Sequence, residues 1–117
     1  MGHIDKAQEL GNALGRTEEY QAVKRSIEAA DGDSELASLR TELEGLEGRI
    51  EVSLKAGKEP DADTAAEYEG TVSRLQASAT YQRLVAAQSN FDKLMAKVNQ
   101  AISRGMEEGG KSRIILA

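Results

Sequence analysis

Apolar positions recur most strongly between residues 81 and 102, YQRLVAAQSNFDKLMAKVNQAI. Tyr81, Leu84, Val85, Phe91, Leu94, Met95, Val98 and Ile102 fall on one broad face at about 100° per residue, the signature of an amphipathic helix. Gln82, Arg83, Asn90, Lys93, Lys97 and Gln100 occupy the opposite face, and neither Gly nor Pro interrupts the run. A second stripe, Leu36, Leu39, Leu43, Leu46, Ile50 and Leu54, advances in steps of three and four, the spacing of a seam between packed helices. These two stripes are expected to pack on each other and on their copies in a second subunit. The expected shared core and oligomer interface comprises Leu36, Leu39, Leu43, Leu46, Ile50 and Leu54 from the first, with Leu84, Phe91, Leu94, Val98 and Ile102 from the second. A hairpin of two such helices alone leaves too much apolar surface in water.

Shorter helices precede this pair. Ile4, Ala7, Leu10 and Leu14 mark the first, and Gly15 is placed to end it in the left-handed conformation. Thr17 caps a second, with Glu18 and Glu19 in its first turn, where negative charge suits the helix dipole. Tyr20, Val23, Ile27 and Ala30 form its apolar face. Asp31-Gly32-Asp33 breaks the chain, and Asp33 reads as the N-cap of the next helix, because an EF-hand loop needs twelve residues of alternating oxygen ligands. Gly45 and Gly48 lie well off the Leu36–Leu54 stripe. Glycine there weakens the helix unless another backbone approaches closely, and the N-terminal helices are the expected neighbour. Gly57 ends this helix and Pro60 prevents its resumption. Asp61 or Asp63 caps a weaker stripe, Ala65, Tyr68, Val72, Leu75 and Ala79. That stripe arrives about 140° out of phase with the one beginning at Tyr81, so a break is expected over residues 77–80, with Ser78 or Thr80 as N-cap. After Arg104 the pattern fades. Gly105, Gly109 and Gly110 suggest a flexible tail over 107–117, whose apolar end, Ile114-Ile115-Leu116, has the character of a docking peptide. The expected fold class is thus all-α: an antiparallel long-helix hairpin with short N-terminal helices, completed as an oligomeric helical bundle, in a single domain over residues 1–106.

Composition narrows the chemistry. Apolar residues are 39% of 117, yet aromatics are 3% and Trp is absent, so one subunit has few large side chains to fill a core. There is no Cys, which removes disulfides, thiolate metal sites and cysteine nucleophiles. His3 is the single His and reads as solvated; the Glu residues at 42, 44, 47 and 51 lack the histidine that carboxylate di-metal bundles pair with them. Lys58 follows Gly57 without the remaining residues of a phosphate loop. No catalytic residue, cofactor, metal or small-molecule substrate is expected. The net charge of −5 comes from the first half, where residues 1–60 carry 13 acidic and 8 basic groups against 7 and 7 in residues 61–117. No basic stripe offers to neutralise a phosphate backbone, although Arg74, Arg83, Lys93, Lys97 and Arg104 leave weak direct RNA binding as an alternative. No apolar run reaches 18 residues and no apolar signal core opens the chain, so a cytoplasmic protein without a membrane span is expected.

Three segments in order carry a resemblance: LGNALGRTEEYQAVKRSIEA at 10–29, KAGKEPDADTAAEYEGTVSRLQAS at 55–78, and YQRLVAAQSNFDKLMAKVNQAIS at 81–103. Together they resemble the YlbF/YmcA family of small bacterial helical proteins over roughly residues 4–106. The resemblance implies an all-α chain that dimerises or builds higher oligomers and acts as a non-enzymatic regulatory adaptor on other proteins. Members influence competence, sporulation and biofilm formation, in complexes that include a protein working with the membrane-anchored ribonuclease Y on mRNA maturation. Some carry Cys linked to Fe–S clusters; this chain has none, so that feature does not carry over. A holdase-like or scaffolding coiled coil is the alternative within the same class.

Overall fold

The computed structural model describes the backbone of residues 2–116 and the side chains of residues 2–111. The fold is all-α: α1 (His3–Gly15), α2 (Glu18–Asp31), α3 (Ser34–Lys55), α4 (Ala62–Ala77) and α5 (Ala79–Leu116), with no strand among the described residues.

The helix boundaries follow from local chemistry. Thr17 serves two helices. Its hydroxyl donates to the Leu14 carbonyl at 2.6 Å and accepts from the Tyr20 amide at 3.2 Å, closing α1 and opening α2. Gln21 Nε2 adds a bond to the Gly15 carbonyl at 2.8 Å. Gly15 does not take the left-handed conformation expected of it. It stays in the helix, and Arg16 follows at φ −89°. The carbonyls at the end of α1 are satisfied instead by the Arg16 and Thr17 amides and the Thr17 hydroxyl, which makes a left-handed residue unnecessary. Asp33 caps α3 as expected, accepting from the Leu36 amide at 3.0 Å. Gly57, at φ +74°, is the one described residue in the left-handed region, and it closes the turn after α3. Asp61 takes the N-cap position of α4 but makes no side-chain capping bond. The expected break falls at Ser78, an extended residue whose hydroxyl accepts from the Tyr81 amide at 3.2 Å.

Two compact units emerge, and α2 and α5 contribute residues to both. The first is Lys24–Ala86. Here α3 runs antiparallel to α4: Val52 lies near Thr64 at one end, Arg74 meets Glu42 midway, and Leu75 joins Leu36 and Leu39 at the other. Ala30, Leu36, Leu39 and Leu75 form the buried cluster, with Leu43, Tyr81 and Leu84 packed against it. Leu36 and Leu46 are each 1% exposed. Full burial of such a side chain stabilises by about 2 kcal/mol. The face that α4 turns inward takes in the middle of the weak apolar stripe, with Leu75 buried and Tyr68 and Val72 half-buried, while Ala65 and Ala79 at its ends are exposed. Thr71 is its centre and is fully buried, flanked one turn either way by half-buried Tyr68 and buried Leu75. A small side chain at this point lets the branched leucines of α3 settle against α4. The Arg74 guanidinium donates to the Thr71 hydroxyl at 3.3 Å, so the buried oxygen is satisfied.

The second unit joins residues 2–23 with residues 87–116. Val23 and Ala87 are buried, and the rings of Tyr20 and Phe91 meet at a centroid distance of 5.8 Å and a tilt of 60°, within the range favoured by aromatic pairs. The helix α5 does not stop where the apolar pattern fades. It runs on through Gly105, Gly109 and Gly110, the segment expected to be a flexible exit. Each glycine costs a helix about 1 kcal/mol relative to alanine, but no proline follows to break it. The side chains of the expected docking peptide at 114–116 lie outside the described residues.

Candidate interaction surface

The eleven residues expected to form a shared core divide clearly by exposure. Within Lys24–Ala86, Leu36, Leu39 and Leu46 are buried, while Leu43, Ile50 and Leu84 are half-buried. Leu54 is 61% exposed, because the stripe of α3 runs past the start of α4. The hairpin partner of α3 in this unit is α4, and the first turns of α5, through Tyr81 and Leu84, pack against its core. In the other unit Phe91, Leu94 and Val98 are half-buried and Ile102 is exposed. Beyond them Met106, at 67%, continues the same face of α5 into solvent. The helix α1 has no buried residue, and Ile4, at 70% exposed, lies open on its apolar side.

The glycines of α3 also face open space. Among the described residues, a Cβ at Gly45 or Gly48 meets nothing within 4 Å, so no close backbone stands there. Instead an open groove of about 600 Å³ runs along Gly45, Gly48, Arg49, Val52, Ser53 and Thr64, and Val52 is largely exposed in it.

A smaller cleft of about 450 Å³ lies where the start of α3 meets the junction of α4 and α5. Asp33, Glu35, Arg74, Ser78 and Thr80 supply its polar lining. The Leu36 amide, bonded to the Asp33 carboxylate, holds that carboxyl below its usual range, and the Thr80 hydroxyl acts in the same direction. Arg74 is committed to Glu42, its Nη2 lying 3.3 Å from Oε1, and to Thr71. Asp33 and Ser78 are thus occupied with capping helices, and Arg74 with bridging α3 to α4. The Thr80 hydroxyl bonds to the Asp33 carboxylate, which at the same time caps α3 through the Leu36 amide. Among the described residues, no group of three or more His, Asp or Glu is placed to hold a metal ion, and no helix is long and apolar enough to cross a membrane.

These features define, among the described residues, a small all-helical fold with a closed apolar core between α3 and α4 and open apolar helix faces. The chain belongs to the YlbF/YmcA family, whose model, described as control of competence regulator ComK, matches residues 3–107. It is a regulatory family. The match extends from α1 well into α5 and takes in both compact units. Among similar proteins, a UPF0342 protein of Bacillus mycoides (strain KBAB4) is 25% identical over 104 residues, covering 89% of each chain. A UPF0342 protein of Streptococcus pneumoniae (strain Hungary19A-6) is likewise 25% identical, covering 89% of this chain and 93% of its own. A UPF0342 protein of Leuconostoc citreum (strain KM20) is 21% identical over 100 residues, covering 86% of this chain and 85% of its own.

Proposed function

We propose that this chain is a non-enzymatic regulatory adaptor, a cytoplasmic homo-oligomer that acts by holding other regulatory proteins, in a complex that controls RNA processing. The observation that carries the reading is the uncovered apolar face of α5, where Ile102 is 45% and Met106 67% exposed, together with that of α1, where Ile4 is 70% exposed. Apolar faces of this kind on a charged helical protein are covered by another protein surface when they do work. The membership in a regulatory family supports a role in control rather than chemistry. On this reading Leu94, Val98 and Ile102 of α5 form the seam to a second copy.

The test is solution mass by light scattering, on the full chain and on a version ending at Gly105. Twice 12.6 kDa or more for the full chain, with a correspondingly multiple mass for the shorter version, is the expected result. A folded monomer in both overturns the oligomer. An oligomer that requires the tail moves the interface to Ile114, Ile115 and Leu116. Affinity capture by the oligomer of the same partners in repeated preparations supports the adaptor role. Protection of aggregating clients without any selective partner supports a holdase instead.

A further inference from the structure

We draw no further inference here: the strongest candidate, the open groove beside Gly45, Gly48 and Val52 on α3, is a face of small residues, and nothing in the structure shows what covers it.

Discussion

The unit Lys24–Ala86 and the unit formed by residues 2–23 with 87–116 use similar amphipathic helices to different ends. In the first, the leucines of α3 meet α4 and two of them reach 1% exposure. In the second, the helix with the clearest apolar face in the sequence keeps that face half-buried at Phe91, Leu94 and Val98 and open from Ile102 onwards. A strong apolar stripe is therefore no guarantee of burial within the subunit. What decides burial is whether the chain supplies a second helix of matching length and phase. The helix α4 does so for α3, because Thr71 and Leu75 lie on the face that Leu36 and Leu39 need.

The contrast can be broken most severely at Leu46. Leu46→Asp places a carboxylate at a fully buried position, and the expected cost is about 4 kcal/mol or more. Circular dichroism should show loss of cooperative melting; an unchanged melting temperature would place Leu46 outside the core. Ile102→Asp is the counterpart on the open face. Helicity should stay near that of the parent protein, with stability within about 0.5 kcal/mol for the isolated subunit, while the solution mass drops. Retention of the parent mass removes Ile102 from the proposed seam. Next in size is Thr17→Ala, which deletes the hydroxyl shared by the end of α1 and the start of α2. About 1 kcal/mol of stability should be lost, read as a lower denaturant midpoint. Gly45→Ala should act in the opposite direction. The added Cβ meets nothing among the described residues and the helix gains about 0.5–1 kcal/mol, so the midpoint rises. A fall in stability would mean that the face is occupied in solution.

The smallest effect concerns pH. The Asp33 carboxyl is held low by the Leu36 amide first and by the Thr80 hydroxyl second. Its folded pKa therefore lies below the unfolded value near 3.8. The contribution to stability is present above the unfolded pKa and fades as pH falls through the folded one. In Asp33→Asn this part of the acid-induced loss should disappear, measured as a flatter dependence of melting temperature on pH below 4.

Much of the fold is legible in the sequence where the signal is a single residue's chemistry. Thr17, Asp33 and Ser78 announce helix starts because a short oxygen-bearing side chain reaches the free amides three residues on. Gly57 announces the turn because few other residues take a positive φ at low cost. The out-of-phase stripes of α4 and α5 require the break found at Ser78. Pairing between helices is less legible. Periodicity says which face of α3 is buried but not by what, and the α4 face that meets it centres on a polar residue, Thr71, which no hydrophobic pattern selects. The end of α5 is hidden for a related reason. Three glycines lower helix propensity without forbidding a helix, so composition alone underestimates its length. Of the candidate surface, the sequence identifies the apolar residues. Their division into buried and open sets depends on which helix faces each of them, which is a property of the folded chain.

The contiguity of Lys24–Ala86 has a consequence for the order of events during synthesis. All of its helices lie in one uninterrupted stretch, so the ribosome delivers a complete set before most of α5 exists. The hairpin can close as a unit while the rest of the chain is still being made. The other unit has its two halves at opposite ends of the polypeptide. The helix α1 and the first residues of α2 are made early and must wait, with Tyr20 lacking its ring contact to Phe91, until residues 87 onwards emerge. In a cell the nascent chain thus passes through a stage with a finished hairpin and a bare amphipathic leader, the interval in which a chaperone has something to hold.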